Sequence, residues 1–233
     1  MTVLNTPCRY KDIDYKLKKS DRKTTSIYIE RDGTVLVIAP APFQLEKIEQ
    51  ILESKRSWIY RSLAEWDDLN RTRVHREYVN GESFLYLGRH YRLQLVAEQD
   101  VPLKFKNGYF ILLEQAVKDA PEFFKQFYKT KLQKKLAERL KLHQAKTKHL
   151  PSDVKVMELQ NRWGSCTAKG VLNFHWKCAM LPMSVLDYVV VHELAHLEHP
   201  NHSPAFWRSV EKVMPNFEEA KNWLKFNGAG MSL

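Results

Sequence analysis

The chain has 233 residues, 44% of them hydrophobic and 27% charged, with a formal net charge of +10. That length and mix suit one large domain or two small ones and exclude a disordered chain. No apolar run is long enough for a spanning helix, and Met1–Tyr10 lacks the charged-then-apolar profile of a signal peptide, so neither is expected.

The first third reads as β. Ile27–Ile29 and Val35–Ile38 flank Asp32-Gly33, a hairpin signal. Leu45, Ile48, Ile51 or Leu52, Trp58 or Ile59, and Leu63 recur at helical spacing and predict one helix to about Trp66. Two more hairpins are expected. One pairs 84–86 with 91–96 across Leu87-Gly88, the other 103–105 with 109–112 across Asn107-Gly108. A long helix is predicted over 121–148, with Asp119 as its N-cap and Pro121 in its first turn. Phe124, Tyr128, Leu132, Leu136 and Leu140 form an apolar row at i+4 spacing along it. Short strands are expected at 155–159 and 171–176. Pro182 then opens a helix that is apolar on nearly every side and therefore buried. Ser203-Pro204 opens another helix, and a last one spans about 217–224. The expected division is a β-rich region over 1–117 and a second region over 118–233.

The charge is uneven. Residues 118–180 carry 14 basic and 5 acidic side chains, whereas 181–233 carry 4 and 6. Lys129, Lys131, Lys134 and Lys135 lie mostly off the apolar row of the long helix and are candidate nucleic-acid contacts. A solvated helix face is the plainer reading, because no aromatic residue interleaves with the lysines to stack bases. Three cysteines, Cys8, Cys166 and Cys178, form no CxxC pair; this points to a reducing compartment, the cytoplasm.

The chemistry sits in the buried helix. His192-Glu193-Leu194-Ala195-His196 is an HExxH motif. Its i, i+4 spacing sets both imidazoles on one helical face, where they converge on one ion. Zinc takes neutral imidazole nitrogens and in catalytic sites keeps a position open for water. Glu193, beside the first ligand, is placed to act on that water as general base. Two histidines and a glutamate in an apolar helix are costly unless something satisfies them, which a metal does. A third ligand is needed. His199 shares the helical face, but Pro200 disfavours helical backbone there, so His202, beyond the turn, is preferred. The HExxHxxxxxH spacing matches that of metzincins, but His199 stands where those have glycine.

The stretch Arg162-Trp163-Gly164-Ser165-Cys166, then Leu172-Asn173-Phe174, the helix 187–196, and Asn201-His202-Ser203-Pro204-Ala205-Phe206-Trp207 resembles the YgjP-like metallopeptidases. These are small bacterial zincins similar to the SprT-like and WLM groups. The resemblance implies an α+β fold, with a zincin-like catalytic half preceded by a β-hairpin-rich N-terminal half and a long basic helix. It also implies a zinc-dependent hydrolase whose ligands are His192, His196 and His202, with Glu193 as catalytic acid and base. Zincins lay an extended substrate along an edge strand. By that resemblance 172–176 is the candidate strand, with Phe174, His175 and Trp176 as substrate contacts, although His175 is more simply an exposed residue.

The leading expectation is thus a cytoplasmic zinc metallopeptidase that acts on peptides or proteins, away from membranes. The alternative is a nucleic-acid-binding protein with a structural metal site. A protease acting on DNA-bound proteins combines the two.

Overall fold

The computed structural model describes residues 6–30, 32–70, 76–144, 146–147, 149–159, 162–228 and 230–233, with backbone alone over 65–70. His75 and the side chain of Trp66 lie outside the described residues. The chain is mixed α and β, with three small sheets and six helices among the described residues. It divides into two compact units, Met1–Arg73 and Val74–Leu233. The division expected at 117/118 falls inside the second unit, where a strand runs through a 3-10 turn directly into the long helix.

The first unit carries β1 (Thr6–Tyr10), β2 (Ile13–Ser20), β3 (Ser26–Ile29), β4 (Val35–Pro40), α1 (Leu45–Ser54) and α2 (Arg56–Asn70). The hairpin at Asp32-Gly33 forms as expected, with Gly33 at φ +82° and the Asp32 carboxylate accepting from the Thr34 N–H at 2.9 Å. The β1–β2 hairpin was not foreseen. Its signal is the alternation of buried Ile13, Tyr15 and Leu17 with exposed Asp14 and Lys16. β2 lies parallel to β4, giving the order β1-β2-β4-β3. The single helix expected over 45–66 is two helices. At Lys55 (φ −107°, ψ 5°) the N–H is shared between Ile51 and Leu52 carbonyls, which tightens the turn. Ile48, Leu52 and Ile59 nevertheless reach one core with Val35, Val37 and Ala39.

In the second unit β5 (Ser83–Tyr86), β6 (Arg89–Val96), β7 (Leu103–Lys106) and β8 (Tyr109–Leu113) form both expected hairpins. They join through parallel β6 and β8. At the first hairpin Leu87 (φ 49°) and Gly88 (φ 77°) are both left-handed, the geometry of a type I′ turn. Their N–H groups donate to Ala179 and Met180 carbonyls at 2.9 Å, pinning the hairpin to the 3-10 helix Trp176–Met180. A methyl on Gly88 would lie 2.7 Å from Pro182 Cα. Gly88→Ala therefore adds a clash to a disfavoured φ, and we expect it to lose at least about 2 kcal/mol. Urea unfolding checks this, and a variant with wild-type stability would show that the turn relaxes freely.

The long helix, α3, spans Ala120–Gln144. A 3-10 turn, Glu114–Asp119, runs straight into it, so Asp119 does not occupy the extended conformation of an N-cap. The expected row of Phe124, Tyr128, Leu132, Leu136 and Leu140 is buried. Phe124 meets Phe84 at 4.3 Å between ring centroids, and the Tyr128 hydroxyl donates to the Leu85 carbonyl at 2.6 Å. Lys131 and Lys134 are exposed, and Lys129 and Lys135 are half-buried. Lys135 is paired with Glu138, and the Lys131 ammonium lies over the Phe127 ring.

β9 (Asp153–Met157), β10 (Gly164–Cys166) and β11 (Val171–His175) form a sheet of order β10-β11-β9. β11 is its middle strand, paired antiparallel to β10 and parallel to β9. This corrects the expectation that 172–176 is an edge. Both of its sides are already hydrogen-bonded, and Trp176 belongs to the 3-10 helix. The edges are β9 and the three-residue β10, and β10 is too short and too poor in strand-forming residues to be read from sequence.

α4 (Met183–Ala195), α5 (Pro204–Val213) and α6 (Phe217–Asn227) complete the unit. α4 is buried on nearly all sides, so packing overrides the weak helix preference of Val189-Val190-Val191. It is anchored to α3 by an ionic fork. Arg139 Nε and Nη2 donate to the two Asp187 oxygens at 2.6 Å each, and His143 Nε2 lies 3.1 Å from Asp187 Oδ1. His143, 8% exposed, is thus part of the core. Burial pushes the Asp187 carboxyl upward, but the His143 and Arg139 hydrogen bonds outweigh it and hold it below its ordinary value of 3.8. A carboxyl depressed by folding stabilises the protein above the ordinary aspartate range and loses that contribution as pH falls through the folded value. Asp187→Asn should lose about 2–4 kcal/mol at pH 7 and less at pH 3. Equal losses in denaturant melts at the two pH values would refute this account. No helix among the described residues is long and apolar enough to cross a membrane.

Candidate metal centre

α4 ends at Ala195, and His196 is its C-cap in helical backbone (φ −68°, ψ −17°). The chain turns through Glu198, with the His199 N–H still donating to the Ala195 carbonyl at 2.9 Å. It then re-enters α5 at Ser203, whose hydroxyl caps the Phe206 N–H, with Pro204 in the first turn. This turn returns His202 to the face that carries His192 and His196.

One nitrogen from each of these three imidazoles can be chosen so that all lie within 4.8 Å of one another. His192 Nε2 and His202 Nε2 are 3.0 Å apart. Only one proton fits between them, so at least one lone pair faces inward when both rings are neutral. His196 Nδ1 lies 3.0 Å from the His199 carbonyl and donates to it, which leaves Nε2 as its unprotonated nitrogen. The His199 ring is engaged elsewhere, with Nε2 3.1 Å from Ser209 Oγ. Its carbonyl orients a neighbouring ring, and its side chain stands outside the cluster.

Phe206, fully buried, underlies all three imidazoles at centroid distances of 4.9, 4.5 and 4.8 Å. Trp207 stacks on His202 at 5.7 Å, and Phe217 stacks behind Trp207 at 5.4 Å. Tyr188 meets the His192 ring edge-on at 5.8 Å. The role of Phe206 was not foreseen, although its place directly after the capped turn at Ser203-Pro204 is visible in the sequence. Burial, then the charges of His196, His202 and Lys221, push the His192 imidazole down to about 3. It is therefore neutral, the form that ligates metal.

Glu193 is only 4% exposed, and burial pushes its carboxyl up to about 8 against the opposing pull of Arg162. Its Oε2, like His192 Nδ1, is buried without a hydrogen-bond partner. Such an atom is costly unless a further group satisfies it. Gly164 of β10 lies against this carboxylate, so close that a methyl there would be 2.5 Å from Oε1. Three imidazole nitrogens, an unpartnered carboxyl oxygen and no cysteine in the set suit a zinc site with an open position rather than a closed structural one. The burial of Cys166, with the nearby Glu193 charge, raises its thiol, which makes it a poor nucleophile.

The other sequence candidates fall elsewhere. Phe174, His175 and Trp176 are all buried. His175, expected to be exposed, is 4% exposed, and its Nδ1 accepts from the Lys177 N–H at 3.0 Å. It faces the interior because β11 is central.

No curated protein matches the chain. The crystal structure of the metallopeptidase zymogen of Pyrococcus abyssi abylysin is similar at 25% identity and a TM-score of 0.36, covering 38% of this chain and 90% of that one. The YgjP-like metallopeptidase domain model matches residues 23–227, most of the chain. On that match the chain belongs to the YgjP-like metallopeptidases, metal-dependent enzymes that hydrolyse peptide bonds.

Proposed function

We propose that His192, His196 and His202 hold one zinc ion and that Glu193 is the proton-transfer residue of peptide-bond hydrolysis, within a catalytic region over 118–233. The observation that carries this reading is the convergence of three imidazoles beside a buried carboxylate with an unpartnered oxygen. A zinc ion held there supplies a Lewis acid that polarises a scissile carbonyl and makes water easier to deprotonate. Glu193 takes a proton from the attacking water and returns it to the departing amine. The walls of β10 and α4 exclude bulk water from that carboxylate, which strengthens each polar contact it makes. His196 is kept in one tautomer by the His199 carbonyl, and Phe206 restrains the three rings from below.

The substrate is a peptide or protein segment. We assign its extended binding to β10, the sheet edge next to Glu193, in place of β11. A basic face partly neutralised by Glu138 favours a solvated α3 over a nucleic-acid surface. A sparse set of three cysteines with no CxxC pair fits a reducing compartment, which we take to be the cytoplasm.

Metal analysis of the purified protein, paired with a peptide-library digest, tests the reading. One zinc per chain with cleaved peptides is expected. Bound zinc without any cleavage would make the site structural.

A further inference from the structure

We propose that Gly164 is a positioning residue for Glu193: its missing side chain leaves the space that holds the carboxylate in its working place. The inference rests on the reading of Glu193 given above. A Cβ at Gly164 would lie 2.5 Å from Glu193 Oε1 and 2.7 Å from both Cδ and Cγ. All three nearest atoms belong to this one side chain. Gly164 is not in the left-handed region, so its backbone would accept alanine without strain. The requirement for glycine here is therefore about space, and the space is occupied by the carboxylate.

Neither wall can easily retreat from an added methyl. β10 is registered against β11, with Gly164 opposite Phe174 and Ser165 opposite Asn173. The Asn173 amide donates to Ser165 Oγ at 3.2 Å, the His175 N–H to the Trp163 carbonyl at 2.8 Å, and the Thr167 N–H to the Val171 carbonyl at 2.9 Å. Phe174 behind the strand is fully buried. On the other side Glu193 projects from α4, which is itself packed nearly all round. The movable element between two fixed backbones is the Glu193 side chain. A methyl on residue 164 displaces the carboxylate, to which its three nearest atoms belong, and should leave the three imidazoles where they are.

The test compares Gly164→Ala, Glu193→Gln, Glu193→Ala and the double variant Gly164→Ala/Glu193→Ala, each loaded with zinc. Zinc content, thermal midpoint and the kinetics of a cleaved peptide are measured. We expect Gly164→Ala to keep one zinc per chain and a near-wild-type KM while kcat falls about 100-fold, the scale of an ångström-level misplacement. We also expect the alanine methyl to lower the midpoint only while Glu193 is present. In the Glu193→Ala background the space is vacant, and the same methyl should be neutral or stabilising. A wild-type kcat in Gly164→Ala, a lost zinc, or an equal thermal loss in both backgrounds would overturn the inference. Full activity in Glu193→Gln would instead overturn the role of Glu193, while the thermal comparison still reports whether the two residues share the space.

Discussion

Glu193→Gln is expected to retain the fold and one zinc per chain while peptide hydrolysis falls between about 10²- and 10⁴-fold, the range for loss of a positioned acid–base group. The amide has the shape of the carboxylate, so it fits the space between α4 and β10 that Gly164 leaves. It has no basic oxygen with which to take a proton. The change should not weaken the fold, because burial already disfavours the ionised form of Glu193. A neutral amide in its place removes a desolvation penalty, and the thermal midpoint should hold or rise. Metal content by elemental analysis and single-turnover cleavage of a peptide decide the matter. A variant that cleaves at the wild-type rate would leave the histidine cluster without a catalytic neighbour.

The second large effect separates the two candidate third ligands. His202→Ala should abolish the rise in thermal midpoint that zinc gives the wild type, and His199→Ala should keep most of it. A ligand that binds only the folded state stabilises it by about 2.7 kcal/mol at a free concentration of 100 Kd. Removing one of three nitrogens weakens the site enough to erase that gain at the same zinc concentration. The His199 ring contacts Ser209, and it is the backbone carbonyl, which any residue provides, that orients His196. Its loss should cost about one hydrogen bond, roughly 1 kcal/mol, in the metal-free protein. Thermal melts across a zinc titration read both variants. Retention of the full zinc-induced rise in His202→Ala would exclude His202 from the site.

The zinc candidates were legible because their spacing is local. His192, Glu193 and His196 share one helix, and His202 follows within a single turn whose shape is constrained by Pro200 and the Ser203-Pro204 helix start. Turn chemistry was similarly local. Asp32-Gly33, Leu87-Gly88 and Asn107-Gly108 each occur at the hairpin they announce. What escaped depends on non-local pairing. Three residues, Gly164-Ser165-Cys166, carry no strand preference and are a strand only because Leu172–Phe174 lies opposite. That unseen strand made β11 look like an edge and His175 look exposed. The Arg139–Asp187–His143 fork joins residues nearly 50 positions apart, so no periodicity could expose it. The closeness of Gly164 to Glu193 is likewise set by how α4 meets β10.

The row of apolar residues on α3 has a geometric consequence. A helix advances about 100° per residue, so steps of four residues overshoot a full turn by about 40°. From Phe124 to Leu140 the buried line therefore winds about 160° around the axis. It is a spiral thread, and successive turns of it engage different parts of the second unit. On the line Tyr128 reaches β5; flanking it, Gln133 donates to β9 midway and Arg139 grips α4 near the end. The helix works as a camshaft, with the angular setting of each contact fixed by its distance along the shaft. The helix that carries His192 is thus indexed to the β5–β8 sheet through α3, by Tyr128 on the buried line and by Arg139 beside it.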